Sequence, residues 1–145
     1  MEKTPHYDSY VEILKEELIP AMGCTEPIAI ALAAAKARDA LGRMPERCQA
    51  EVSGNIIKNV KAVTVPNTGG LKGIEASVAA GAVAGRPDLE LEVLSQVTPQ
   101  EIEAMREFLE TREIKVIPAT GDRVFYIKVT VWAEGHSACC QLVAY

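Results

Sequence analysis

The most restrictive feature of this 145-residue sequence is the segment Ile28–Ala35, in which every side chain is apolar and most are alanine. Alanine is the strongest helix former, and a helix that is apolar all round must be buried on several sides. Pro27 suits the first turn of such a helix, and Gly42 suits its C-terminal cap. The pattern predicts a deeply buried helix over Pro27–Leu41.

The remaining hydrophobic periodicity predicts an α+β fold. Amphipathic spacing predicts a helix over Asp8–Ile19, and small residues predict another over Ile74–Ala84. Alternation from Arg123 to Ala133 predicts a strand, with Ala138–Tyr145 returning as its hairpin partner. We expect residues 1–145 to form a single domain, a mostly antiparallel sheet whose C-terminal hairpin packs against several Ala-rich helices.

Charge and composition exclude some classes of partner. The chain has 15 basic and 20 acidic residues, a net charge of −5, which disfavours nucleic acid as a partner. Its most apolar window, Pro27–Ala35, is far shorter than the roughly 20 residues that cross a bilayer, so no membrane partner is expected. The first residues lack the apolar core of a signal peptide. We therefore expect a cytoplasmic protein whose four cysteines are thiols, ligands or nucleophiles.

Cys24 is the most promising chemical group. It directly precedes the predicted helix start, where the helix dipole and free N–H groups favour the thiolate that attacks or binds metal. The competing interpretation is a buried cysteine that packs as a small hydrophobe. For the other three cysteines we expect a buried, structural role: Cys48, Cys139 and Cys140. We expect both histidines, His6 and His136, to be exposed to solvent.

Two loops concentrate small hydrogen-bonding residues beside predicted helix starts. They are Ser53–Asn59 and Pro66–Gly70, and their backbone N–H groups suit a carboxylate or phosphate. The glycine–lysine–serine/threonine triple of a phosphate-binding loop is missing, and ordinary turn chemistry is the alternative interpretation for either loop.

Several of these segments resemble one known family. The run Gly23-Cys24-Thr25-Glu26-Pro27 before the alanine-rich helix is similar to a sequence in the L-cysteine desulfidase family, and further matching segments are Ser53–Asn59, Val63–Gly69 and Leu91–Leu94. That family is related to the alpha domain of iron–sulfur L-serine dehydratases. The resemblance implies a cytoplasmic lyase that converts L-cysteine to pyruvate, ammonia and hydrogen sulfide. It also implies an oxygen-sensitive [4Fe-4S] cluster held by three cysteines, without pyridoxal phosphate.

The resemblance implies that Cys24 is one cluster ligand and that the other two lie downstream, in a part that this sequence lacks. Cys48, Cys139 and Cys140 do not match the missing ligand motifs. We therefore expect the N-terminal part of a longer chain, inactive alone, with the remainder of that chain as a partner. A cluster with an open iron would act as a Lewis acid on the substrate's leaving group.

The substrate is expected to be a small amino acid, whose carboxylate needs hydrogen-bond donors. Candidate substrate-binding residues lie at the helix start and in the two loops: Thr25, Ser53, Asn55, Asn59, Asn67, Thr68 and Gly69. Lys58 is the candidate base if burial lowers its pKa, and simple carboxylate binding is its alternative role. Glu26 is a weaker base, because a helix N-terminus favours its charged form.

Other functions remain open from the sequence. L-Serine presents the same amino and carboxyl groups as L-cysteine, so an L-serine dehydratase is the first alternative. A non-catalytic domain that binds an amino acid or a partner subunit is the second, and an enzyme with Cys24 as nucleophile is the third. The apolar helices also suggest a homo-oligomer, if the isolated chain exposes apolar surface.

Overall fold

The computed structural model describes residues 10–16, 25–121 and 125–144. Within them the chain forms five strands, four α-helices and one 3₁₀-helix. In chain order these are β1 Tyr10–Glu16, α1 Thr25–Leu41, β2 Arg47–Val52, α2 Gly54–Val60, α3 Gly73–Ala84, the 3₁₀-helix Pro87–Glu92, α4 Pro99–Thr111, β3 Glu113–Pro118, β4 Phe125–Ala133 and β5 His136–Ala144.

The five strands form one sheet in the order β1-β5-β4-β2-β3. The α+β class is confirmed, but the sheet is mixed and not mostly antiparallel. β4 runs antiparallel to β2 and β5, whereas β1 pairs with β5 and β3 pairs with β2 in parallel. Both parallel pairs join strands that are far apart along the chain, since β2 and β3 are separated by helices and β1 and β5 by most of the chain, and parallel pairing requires such long connections.

The C-terminal hairpin follows the expected alternation. Ala133 pairs with His136, and the two residues between them, Glu134 and Gly135, both have positive φ angles. A two-residue turn with both φ angles positive matches the twist of a hairpin. The alternate residues of β4 turn toward the helices and are buried there, and α1 packs across β4 and β5. The predicted hairpin against an alanine-rich helix is therefore confirmed.

α1 and α3 lie side by side at unusually short range. A Cβ atom added to Gly81 would lie 2.0 Å from the carbonyl oxygen of Ala31, and one added to Gly85 would lie 2.6 Å from the Cβ of Ala35. From the first contact to the second, the position advances by four residues in each helix, so the two helices run parallel. Small side chains at this spacing allow the two backbones to approach, which explains the alanine and glycine content of both helices.

The first predicted helix is wrong for the part of Asp8–Ile19 that the structure describes. Residues Tyr10–Glu16 form β1, which pairs in parallel with β5 along the register Tyr10 to Ser137 through Glu16 to Val143. Short apolar segments satisfy helical and extended patterns equally well, and here pairing with a strand more than 120 residues away decides the outcome.

Three helices begin at the same end of the sheet. The connection from α1 to β2 is short, so α1 begins at the end where β2 finishes, and α3 runs parallel to α1. Arg112, just after α4, donates from Nη1 to the carbonyl oxygen of Pro45 at 3.5 Å in the α1–β2 connection. α4 therefore ends at the far side and begins with the other two. We call this side the helix-start end, defined by Thr25, Val52, Gly73 and Pro99.

Candidate functional site

The start of α1 carries the first group of predicted site residues. Cys24 lies outside the described residues, so its ligand role stays a prediction, and Thr25 begins the helix backbone. Glu26 occupies the first turn. Its Oε1 atom is buried and has no hydrogen-bond partner in the part of the chain that the structure describes.

A second group lies on α2, immediately after β2 at the same end. Ile56 and Val60 are buried and attach the helix to the core. The opposite face is exposed and carries Asn55, Lys58 and Asn59, which are neighbours because residues three and four apart lie side by side on a helix. The structure thus groups three of the predicted residues on one polar face. The predicted base role of Lys58 required a buried amine, and this side chain is exposed.

Ser53 joins two strands and does not cap α2. It is 2% exposed, its backbone N–H donates to the carbonyl oxygen of Tyr126 at 3.0 Å, and its Oγ accepts from the backbone N–H of Tyr126 at 3.3 Å. No side-chain cap bond to α2 is formed. These bonds fix the start of β4 against the end of β2, so Ser53 positions the exposed face of α2.

The loop with Asn67, Thr68 and Gly69 is held mainly by its own hydrogen bonds. The buried Thr68 hydroxyl donates to the carbonyl oxygen of Val65 at 2.7 Å and accepts from the backbone N–H of Leu71 at 3.2 Å. Nδ2 of Asn67 donates to the carbonyl oxygen of Leu94 at 2.9 Å. All three bonds serve loop structure, and the substrate-binding role of the three residues stays a prediction.

Gly69 at the tip of this loop lies against the first turns of α4. Its φ of +71° is a left-handed conformation, and a Cβ there would lie 3.4 Å from Ile102 and from Nη2 of Arg106. The tip therefore contacts α4, and no described contact joins it to the polar face of α2.

The described cysteines do not form a cluster site. Cys48 and Cys140 face the helical core, whereas Cys139 is buried on the other face of the sheet. No group of three His, Cys, Asp or Glu residues that could hold a metal occurs in the described ranges. Burial raises the pKa of the Cys48 thiol from 9.0 to about 12, although the charge of Arg112 opposes that rise. Cys48 is thus an unreactive core thiol.

Two open cavities of the described part lie away from the helix-start end. One of about 570 Å³ lies beside the β4–β5 turn and is lined by residues that include Arg47, Trp132 and the exposed His136. The other, of about 230 Å³, lies between α3 and α4 near Met44. Neither contains a predicted site residue. The helix-start end is the better candidate, because it gathers Glu26 and the polar face of α2.

Sequence reasoning missed residues that hold α1 and α3 together. Gly81 permits the close α1–α3 contact, and Arg38 donates to three carbonyl oxygens at the end of α3, those of Gly81, Ala82 and Gly85, at 3.3, 3.2 and 2.9 Å. The sequence pattern that could have indicated this contact is the equal four-residue spacing of Ala31 and Ala35 in one helix and of Gly81 and Gly85 in the other.

Comparisons with known proteins find relatives that share one name. A UPF0597 protein of Desulfitobacterium hafniense (strain Y51) is 54% identical over 129 residues, which are 89% of this chain and 30% of that protein. A UPF0597 protein of Finegoldia magna is 60% identical over 108 residues, 74% of this chain and 26% of the relative. One of Treponema denticola is 43% identical over 143 residues, 99% of this chain and 33% of the relative. No protein-family model and no solved structure matches the chain.

These comparisons correct the family expected from the sequence. The relatives are named UPF0597 proteins and no cysteine desulfidase name appears among them, so the expected kinship with the L-cysteine desulfidase family is wrong. The chain spans about 30% of the length of the relatives it matches, so these relatives contain a large part without a counterpart here. Among the described residues, no helix has the length and apolar character to cross a membrane.

Proposed function

We propose that this chain is the N-terminal part of a lyase that converts L-cysteine to pyruvate, ammonia and hydrogen sulfide by α,β-elimination. A base removes the α-proton, the Cα=Cβ double bond forms, and the Cβ–S bond breaks. Water then converts the resulting aminoacrylate, through its imine form, to pyruvate and ammonia. Atoms balance as L-cysteine plus water giving the three products. The proposed location is the cytoplasm.

The observation that carries the proposal is the helix-start end itself. The first turn of α1 with Glu26 and the exposed face of α2 with Asn55, Lys58 and Asn59 lie where β2 finishes. A small amino acid presents one carboxylate and one ammonium group. Amide and ammonium donors on α2 suit the carboxylate, and a carboxylate on α1 suits the ammonium.

Lys58 has two candidate roles, removal of the α-proton and binding of the substrate carboxylate. Exposure of Lys58 favours the carboxylate-binding role, because an exposed ammonium group can reach the carboxylate of a ligand that approaches from solvent. A Lys58→Ala variant should raise KM for L-cysteine while leaving kcat within about threefold. A loss of kcat with unchanged KM would restore the base assignment.

An iron–sulfur cluster stays part of the proposal, but the described cysteines do not hold it. It requires Cys24 together with ligands from outside the 145 residues, and these relatives have ample length for such ligands. When bound, it would supply a Lewis acid.

The test is product analysis under anaerobic conditions. Full-length protein that contains these residues is reconstituted with iron and sulfide and is given L-cysteine or L-serine. Pyruvate and hydrogen sulfide in equal amounts from L-cysteine would support the proposal. Pyruvate from L-serine alone would support the dehydratase alternative, which the same substrate-binding groups suit. No pyruvate from either, despite a formed cluster, would contradict both.

A non-catalytic amino-acid-binding domain is the second candidate function. The exposed face of α2 favours it, because Asn55, Lys58 and Asn59 offer hydrogen-bond donors to a carboxylate without requiring a reaction. Binding of L-cysteine without any pyruvate would select this function.

A further inference from the structure

We infer that Glu26 is the residue that binds the α-ammonium group of the substrate, and that it distinguishes amino acids from acids that lack the amine. This inference rests on the proposed amino-acid substrate. It assigns Glu26 to binding and not to removal of the α-proton, because a carboxylate that holds the ammonium is already engaged.

The first step is the unusual state of this side chain. Glutamate in the first turn of a helix is normally exposed, where it interacts favourably with the helix dipole. Oε1 of Glu26 is instead buried, and neither a backbone N–H nor a side chain of the described residues donates to it. A buried carboxylate oxygen without a donor is costly, so each such atom in a folded protein calls for an explanation, and a donor on a bound ligand is one.

The second step is the rigidity of the surroundings. Ala29 to Ala35, the helix residues that follow, are fully buried, and α3 lies in direct backbone contact with the same helix at Ala31. The backbone of the first turn of α1, which carries the partly exposed Glu26, is therefore held in place by two closely packed helices. A pre-positioned acceptor of this kind suits a small cationic group that enters from outside.

The third step is the chemistry of the missing donor. The position lies at the helix-start end, where the exposed face of α2 offers donors for a carboxylate. A ligand that engages both groups carries a cationic donor and a carboxylate, as an α-amino acid does. A primary ammonium donates up to three hydrogen bonds and pairs with a carboxylate oxygen.

The test compares two ligands that differ only in the amine. L-Cysteine and 3-mercaptopropionate are titrated into full-length protein under anaerobic, reducing conditions, and dissociation constants are measured by calorimetry. We expect the wild type to prefer L-cysteine, and Glu26→Gln to weaken L-cysteine binding by about tenfold or more without weakening 3-mercaptopropionate. Glu75→Gln, an exposed first-turn glutamate of α3, is the matched control and should change neither constant.

Thermal unfolding of the same variants separates binding from a structural role. Glu26→Gln replaces a carboxylate whose buried Oε1 has no described donor, so its melting temperature should equal or exceed that of the wild type. Glu26→Asp keeps the charge but shortens the reach, and should give intermediate L-cysteine affinity. If Glu26→Gln does not fold, the Asp variant alone decides: unchanged L-cysteine affinity in it would overturn the inference.

The remaining outcomes are equally definite. A wild type that binds both ligands equally, or binds neither, would overturn the inference, as would a Glu26→Gln protein that still prefers L-cysteine. Pyruvate formation is measured in parallel. If the preference for L-cysteine depends on Glu26 but no pyruvate forms, the lyase proposal is contradicted and this inference stands. If pyruvate forms but Glu26→Gln keeps the preference for L-cysteine, the lyase proposal stands and this inference is overturned.

Discussion

At the scale of single residues, the tightest packing constraint is the absent side chain of Gly81. A methyl group at this position would overlap the backbone of Ala31, and neither backbone can yield without moving a buried helix. Gly81→Ala should therefore destabilise the protein by about 3 kcal/mol or more, measured by urea unfolding. Gly54→Ala is the control, because nothing lies within 4 Å of its added Cβ. A Gly81→Ala protein as stable as the control would contradict the close α1–α3 contact.

The buried thiol of Cys48 makes a pH-dependent prediction. The unfolded thiol releases its proton near pH 9.0, whereas burial delays release in the folded protein to about pH 12. The unfolded state therefore binds fewer protons between these values, and stability falls there by at most about 1.4 kcal/mol per pH unit. Unfolding free energy measured from pH 8 upward should fall less steeply in Cys48→Ala than in the wild type. Parallel slopes would contradict the burial of this thiol.

Residue-scale prediction from sequence succeeded where the pattern is local. The run Thr98-Pro99-Gln100-Glu101 predicts a capping box with proline at the first helical position. This prediction is confirmed, since the Thr98 hydroxyl accepts from the N–H of Glu101 at 3.2 Å and the Glu101 carboxylate accepts from the N–H of Thr98 at 2.9 Å. The buried oxygen of Glu26 was not foreseeable, because burial of one atom depends on segments that fold around it.

At the scale of secondary-structure elements, Arg38 joins the end of α3 to α1. Its guanidinium group donates to the carbonyl oxygens of Gly81, Ala82 and Gly85, where the helix ends and carbonyl groups lose intrahelical partners. The carbonyl oxygen of Gly81 also accepts from the N–H of Gly85. Arg38→Met should cost about 2 kcal/mol or more in urea unfolding, because hydrogen bonds from a charged donor are removed. Arg43→Met is the matched control, since Arg43 forms an exposed ion pair with Glu134, and its loss should cost less than about 1 kcal/mol. Equal losses would refute the capping role.

The elements that the sequence predicted well are those with strong local signals. The alanine-rich α1, the small-residue α3 and the β4–β5 hairpin agree with expectation within a few residues. β1 was missed because its hydrogen bonds go to β5, far along the chain, and no local pattern reveals such pairing. The two parallel pairs at the edges of the sheet, β1 with β5 and β2 with β3, were not predicted for the same reason.

At the scale of the whole molecule, the apolar helices are covered by their own chain. Ala29 to Ala35 are fully buried, and among the described residues only Met44 and Leu91 are large, exposed hydrophobic side chains, at 42% and 37% exposure. The sequence-based reason for a homo-oligomer, exposed apolar helices, is therefore removed for α1 and α3. Dilute sedimentation of the 145-residue chain should give a monomer, and a dimer would require another interface.

The most direct measurement of the central claim is pyruvate formation by full-length protein in which Cys24 alone has been changed. We expect the reconstituted wild type to form pyruvate from L-cysteine, Cys24→Ala to lose this activity with part of its bound iron, and Cys48→Ala to retain it, because Cys48 is a core thiol. Wild-type turnover and iron content in Cys24→Ala would contradict the claim that the start of α1 is the chemical centre of this protein.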